Sequence, residues 1–322
     1  MQSSPEHLKI SQRLWSRDAT LWTNDALEQA AIADRLGWLD APAWLRCQQE
    51  QLVNFADEVW EAGFKKVVLL GMGGSSLAAE VLARTFDIVP PGLALVVLDN
   101  THPDAVGAVL GSEDLERTLF IVASKSGTTL EANVFLATFL AAVRRRFCAR
   151  AGRHFVAITD EDTPLARRAA EEGFRYCFIN PGDVGGRYSA LTYFGMVPAA
   201  LLGLDLERLA AAADSAVSAA RKADSSALTL GLFLGHWAGN GRDKLCVLLS
   251  GALAALSVWI EQLIAESTGK RGIGIVPVDD ALLSPEAYSD DLMFVAVTLS
   301  EDAELSKRCR PVSYTHLTLP TN

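Results

Sequence analysis

Four short stretches crowd chemically capable side chains into turns. In "FIVASKSGTTLEA" (residues 120–132) an apolar run ends in Ser124, Lys125, Ser126, Gly127, Thr128 and Thr129, and a helical pattern begins at once. The hydroxyls and the ammonium can each donate to an anion's oxygens, and Gly127 lets the backbone come close. Thr128 or Thr129 could cap the helix that follows, but a cap explains one hydroxyl of the four. In "VVLLGMGGSSLAAEVL" (67–82) a second apolar run ends at Gly71, Gly73 and Gly74 permit a tight turn, and Ser75 and Ser76 open a helix. Amides at a helix N-terminus, with its partial positive charge, form an anion site. Two such turns suggest a phosphorylated small molecule held between them. No G-x-x-x-x-G-K-[ST] run is present, so a nucleoside triphosphate is not implied.

The other two stretches add charge. "NPGDVGGRYSALTYFG" (180–195) sets Arg187 directly after Gly185 and Gly186; its plainest partner is a local acid such as Asp183. "WIEQLIAESTGKRGIGIVP" (259–277) places Glu266 at the end of a helical pattern. The helix dipole disfavours a carboxylate there, so its presence asks for a reason, either solvent exposure or work as a base. Glu261, five residues earlier, does not stack with it. "GMGGSS" also starts like a dinucleotide fingerprint, with Asp99 ending the next apolar run. Ser76 stands where that fingerprint has Gly or Ala, and no nicotinamide-side constellation accompanies it.

Elements that position such turns follow from the hydropathy pattern. Residues 1–50 read as an N-terminal segment of amphipathic helices, with Trp15, Trp22, Trp38 and Trp44 as packing anchors. In "AIADRLGWLDAP" (31–42), Gly37 and then Pro42 are expected to end a helix. Next come "KKVVLLGM", "LALVVLD", "TLFIVAS", "HFVAIT" and "RYCFIN", separated by helical stretches. Apolar strands alternating with helices predict a doubly wound α/β domain, a parallel sheet covered on both faces, over residues 51–215. After an alanine-rich helical interval only "KLCVLLS" and "LMFVAVTLS" read as strands, so residues 216–310 predict a second, incomplete unit of the same kind. The tail "PVSYTHLTLPTN" (311–322) matches nothing before it and reads as non-native, like translated adapter sequence.

Composition narrows the class. A formal charge of −10 over 322 residues argues against a sequence-independent nucleic-acid binder. The five cysteines are scattered and never form C-x-x-C, which disfavours a disulfide framework or a zinc site and suits a reducing cytoplasm. No apolar run is long enough to span a bilayer.

Taken together, "GMGGSS", "SKSGTT", "VGGRYSALTYFG" and "ESTGK" resemble the phosphoglucose isomerase family and its sugar-isomerase (SIS) sheet domains. The N-terminal wording, "RLWSRDATLWTND", is most similar to the isomerase half of bifunctional transaldolase/phosphoglucose isomerases. The resemblance implies reversible isomerisation of glucose 6-phosphate and fructose 6-phosphate through a cis-enediolate, without metal or redox cofactor. By position it implies that Ser75, Ser124, Ser126 and Thr129 hold the phosphate with Lys125 nearby. Glu266 would be the base, Arg187 would stabilise the intermediate, and Glu131 would position that arginine. It also implies a homodimer and, in a fused relative, an upstream transaldolase domain. Ring opening in the family uses a histidine and a lysine downstream of the glutamate. Here only His316 follows Glu266, so the resemblance is to a truncated isomerase, with a non-catalytic sugar-phosphate-binding module as the alternative.

Overall fold

The computed structural model describes residues 5–111, 114–222, 224–278, 288–299 and 315–318. The chain divides into two units, Trp22–Ser215 and Met1–Leu21 together with Ala216–Asn322.

The N-terminal helices are α1 (Pro5–Trp15), α2 (Ala26–Ala33) and α3 (Ala41–Glu61). The Asp25 carboxylate accepts from the amides of Leu27 and Glu28, satisfying two donors that α2 leaves open. Pro42 does not end a helix as its place in the sequence suggests. It lies in the first turn of α3, where its missing N–H costs nothing. Three of the four tryptophans pack as anchors. Trp38 stacks on Tyr188, Trp44 meets Tyr193 edge-on, and the Trp15 ring lies under the Arg221 guanidinium. Trp22 is more open, 47% exposed.

The alternating region forms β1 (Lys66–Gly71), α4 (Leu77–Thr85), β2 (Ala94–Leu98), α5 (Pro103–Leu110), β3 (Thr118–Ala123), α6 (Leu130–Phe147), β4 (Phe155–Thr159), α7 (Pro164–Glu171) and β5 (Tyr176–Ile179). Helices α8 (Tyr193–Leu201) and α9 (Leu206–Ala220) follow. All five strands are parallel, in the order β2-β1-β3-β4-β5. Because side chains alternate across a strand, each strand feeds two cores. Val67, Leu69, Leu119, Ile121, Val156 and Ile158 pack against α3 and α8. Val68, Leu70, Phe120, Val122, Phe155 and Ala157 pack against α6 and α7, where Phe120 stacks with both Phe139 and Phe155. Burial on both faces is why these strands read as unbroken apolar runs. Helix α6 shows the complementary logic. Ala132, Phe135, Leu136, Phe139, Leu140 and Val143 make its buried stripe, Glu131 lies in its first turn, and Arg144, Arg145 and Arg146 close its last, matching the helix dipole at both ends.

His154, just before β4, is buried against the Phe64 and Phe147 rings, with Nδ1 3.3 Å from the Thr118 carbonyl oxygen. Burial holds its imidazole below the ordinary value of 6.5. As pH falls from about 6.5 the unfolded chain therefore takes up a proton first, and stability declines until the folded state is protonated too. His154→Gln is expected to flatten the pH dependence of the urea midpoint across that window. An unchanged slope would exclude His154 as its source.

The second unit contains α1 and, beyond α9, α10 (Ser226–Gly239), β6 (Lys244–Leu249), α11 (Leu256–Thr268), β7 (Val276–Val278), β8 (Leu292–Thr298) and β9 (Thr315–Thr318). Its strands are parallel in the order β7-β6-β8-β9, two more than the sequence displays. Strand β7 has three residues with Pro277 at its centre, too short and broken to show as an apolar run; Pro is tolerated there because β7 is an edge. Strand β9 falls in the stretch read as non-native and pairs in parallel with β8. Residues 300–314, with Cys309, and 319–322 lie outside the described residues. No helix among the described residues is long and apolar enough to cross a membrane.

Candidate functional site

In an open parallel sheet, ligands bind outside the carboxyl ends of the strands where the strand order reverses. Here that place lies between β1 and β3, since β2 folds to one side of β1 and β3, β4 and β5 to the other. The register pairs Gly71 with Ala123, the last residues of β1 and β3. Both polar turns of the sequence therefore start side by side at the switch point.

The turn after β1 tightens at once. Gly73 has φ of +51°, a conformation that favours glycine, and the amide of Ser76 donates to the Gly73 carbonyl at 2.9 Å. Ser76 is buried, and its hydroxyl donates back to the same carbonyl at 3.2 Å. That leaves Ser75, half-buried, as the hydroxyl of this turn nearer to solvent.

In the turn after β3, Gly127 has φ of +67°, and a Cβ there would lie 2.8 Å from Thr163 Cβ and 2.9 Å from the Leu165 amide nitrogen. Ser124 is buried, and its Oγ is 2.8 Å from Thr129 Oγ1. Ser126 and Thr128 are exposed and pair in the same way at 2.8 Å. Thr129 holds the N-cap position of α6, yet its side chain makes no cap hydrogen bond. The cap explanation therefore accounts for none of its hydroxyl. Each pair has acceptors and donors that can turn toward an incoming oxyanion.

Lys125, expected near the phosphate, is hydrogen-bonded within the protein. Its Nζ donates to Asp160 Oδ2 and, at 3.0 Å, to the Gly182 carbonyl. Burial pushes the Asp160 carboxyl up, against the pull of that ammonium. Asp160 escapes notice in the sequence because it lies 35 residues from its partner. The available signal is its place directly after strand β4, at the same sheet edge as the other turns.

The loop after β5 carries Arg187 to the first turn. A Cβ on Gly74 would lie 2.4 Å from the Gly186 carbonyl carbon and 2.8 Å from the Arg187 amide nitrogen, so two backbones touch where only glycine fits. Ser189 fastens the contact, donating to the carbonyls of Gly186 at 2.6 Å and Gly74 at 3.2 Å. The Arg187 guanidinium lies 5.0 Å from the Tyr188 ring centroid, on a ring that stacks against Trp38. Asp183 is placed by Gly37, whose amide donates to its carbonyl at 3.1 Å. Gly185 differs from Gly74: its φ is −68°, and an added Cβ would meet nothing closer than 3.4 Å.

Glu131 lies in the first turn of α6, half-buried. Glu266 belongs to the other unit, in the last turn of α11 and exposed. The turn behind it is fixed by Thr268, whose Oγ1 donates to the Ile264 carbonyl and accepts from the Ile275 amide, each at 2.8 Å. Lys270 Nζ donates to the Glu266 carbonyl at 3.1 Å.

Comparison with known proteins bears on the fold and the family. A family model described as phosphoglucose isomerase matches residues 56–280. A glucose-6-phosphate isomerase of Thermus thermophilus is 33% identical over 238 residues, 73% of this chain and 56% of that protein. One of Parasynechococcus marenigrum is 34% identical over 305 residues, 84% of this chain and 54% of that protein. The chain thus spans about half the length of the curated relatives it matches. Among solved structures, a hypothetical protein from Thermus thermophilus superposes with a TM-score of 0.76 at 28% identity, covering 92% of this chain and 71% of that one. A glucose-6-phosphate isomerase from Chlamydia trachomatis shares the fold, with a TM-score of 0.67 at 20% identity over 91% of this chain and 63% of that one. With 56–280 under a single family model, and a parallel-sheet fold shared with a solved glucose-6-phosphate isomerase, the chain belongs to the phosphoglucose isomerase family.

Proposed function

We propose that the chain interconverts glucose 6-phosphate and fructose 6-phosphate. The observation that carries this reading is the meeting of two glycine- and hydroxyl-rich turns at the switch point, with the Arg187 loop packed on one of them through Gly74. The name of the relatives, glucose-6-phosphate isomerase, supports the same substrate class.

In this reading Ser75, Ser124, Ser126 and Thr129 donate to the phosphate of the open-chain sugar, as do the amides of the tight turns. Such donors suit a dianion in an acidic chain because they act over the last few ångströms and not through net charge. Glu266 removes the proton from C2 of the aldose. The electron pair forms the C1–C2 double bond and the C1 carbonyl oxygen takes up the negative charge, giving a cis-enediolate. Protonation at C1 by the same carboxyl, with the carbonyl re-formed at C2, completes the ketose. The carboxylate moves one proton from C2 to C1, and the balance is completed by the C2 hydroxyl proton passing to the C1 oxygen. Arg187, set on a fixed backbone contact, stabilises the charge as it develops, and Glu131 contributes to the field around that arginine. The family reading extends to a homodimer in solution.

The test is a coupled assay for glucose 6-phosphate formed from fructose 6-phosphate by the purified chain, with calorimetric binding of fructose 6-phosphate alongside. Turnover with binding supports the isomerase. Binding without turnover supports a sugar-phosphate-binding module in its place, and neither would sink both.

A further inference from the structure

The loops at the carboxyl edge of the sheet are linked in series, and the Lys125 ammonium joins three of them. The β1 turn touches the β5 loop through Gly74 and Gly186. The β3 turn rests on the β4 loop through Gly127 and Thr163. Main-chain bonds continue the second link: the Asp160 amide donates to the Lys125 carbonyl at 3.1 Å, and Thr159 Oγ1 reaches the same carbonyl at 3.3 Å. Between the β3 turn and the β5 loop, the side-chain link is Lys125, which bonds Asp160 and the Gly182 carbonyl together. Gly182 lies five residues before Arg187.

We propose that Asp160 is a positioning residue for this site: held on Lys125, it fixes the phosphate turn and the arginine loop at one spacing, and Lys125 serves this pair and not the phosphate directly. The inference rests on the isomerase reading and deepens it.

Three observations carry it. The side chains of Lys125 and Asp160 are only 27% and 22% exposed, so the pair is partly withdrawn from solvent screening. Asp160 Oδ1 is buried without a hydrogen-bond partner among the described residues, so the carboxylate's polar engagement falls on Lys125. The ammonium is already shared between a carboxylate and a carbonyl, which commits its charge before any substrate arrives. The burial that pushes the Asp160 carboxyl up reflects the same enclosure.

A direct phosphate ligand and a positioning pair predict opposite signs for one substitution. If Lys125 bound the phosphate, Asp160→Asn would release its charge and tighten binding. In the positioning role, Asp160→Asn and Lys125→Met each weaken binding of inorganic phosphate and of fructose 6-phosphate, by about tenfold. The double variant is no weaker than either single one, because both remove the same link. Lys125→Arg, which keeps the charge and donors, restores most of the loss. Titration calorimetry with the full chain reads all four variants, and thermal unfolding checks that each is folded. Tighter or unchanged phosphate binding by folded Asp160→Asn overturns the proposal, as do additive losses in the double variant. If Asp160→Asn does not fold, Lys125→Arg decides: an affinity as low as that of Lys125→Met overturns it. A wild-type chain that binds neither ligand overturns the isomerase reading itself, a separate result from a wild type that binds and an Asp160→Asn that binds equally well.

Discussion

Replacing Glu266 by glutamine is expected to lower turnover of fructose 6-phosphate by about 10²–10⁴-fold, the range for losing a positioned general base. Glutamine keeps the length and planar end of the side chain and removes its charge and basicity. The Lys270 contact is to the Glu266 backbone carbonyl, so it survives the change. The Thr268 bonds that hold the following turn involve no Glu266 side-chain atom. Affinity for fructose 6-phosphate, read by calorimetry, is therefore expected to stay within a few-fold of wild type while kcat falls. A carboxylate in the last turn of a helix opposes the macrodipole, and a base that must stay ionised and reactive is a reason to keep one there. Equal turnover by wild type and Glu266→Gln would remove Glu266 from the mechanism. Loss of binding together with turnover would make it a binding group and not a base.

The second large effect is expected at Gly74. Alanine there would bring a Cβ to 2.4 Å from the Gly186 carbonyl carbon, 2.6 Å from its oxygen and 2.8 Å from the Arg187 amide nitrogen. These are backbone atoms and cannot swing aside as a side chain would. One backbone or the other has to move, and Ser189, bonded to both Gly74 and Gly186, loses its geometry with them. Overpacking of this kind costs about 1–3 kcal/mol, and the upper end is expected because neither contact surface is flexible. The functional loss should be larger than the loss of stability implies. A shift of about 1 Å in a positioning group can cost about 10²-fold in rate, and Arg187 sits on the displaced strand of chain. Gly185→Ala is the matched control: its φ of −68° suits any residue and its nearest neighbour is 3.4 Å away. It should stay within about 0.5 kcal/mol of wild type. Thermal unfolding and phosphate affinity measured on both variants decide the matter. A Gly74→Ala protein that matches Gly185→Ala in both would show that the contact does not constrain the site.

Much of this protein is legible in the residues alone. The five strands of the first sheet, their parallel arrangement and the polar turns that end β1 and β3 follow from local pattern. Apolar runs buried on both faces cannot hide among polar neighbours, and a strand-to-helix turn needs glycines and hydroxyls within a few residues of one another. Gly73 and Gly127 adopt the positive φ that such turns demand. Family membership is legible for the same reason, since the motifs are short and contiguous.

What the sequence could not supply depends on partners far apart along the chain. Strand β7 is invisible because three residues around a proline become a strand only when β6 offers them a ladder. Trp22 has the residue type of an anchor, and only tertiary packing shows that about half of it stays exposed. Lys125 reads as a phosphate ligand by its neighbours 124 and 126, yet its charge is committed to Asp160, 35 residues on, and to Gly182, 57 residues on. Gly74 and Gly185 are indistinguishable in print, and a contact between residues 74 and 186 separates them. Local sequence determined which groups this protein has and the turns that carry them. The register of β1 against β3 and the closure of distant loops decided which of those groups face one another, because side-chain direction and backbone approach are set by the whole sheet and not by any one segment.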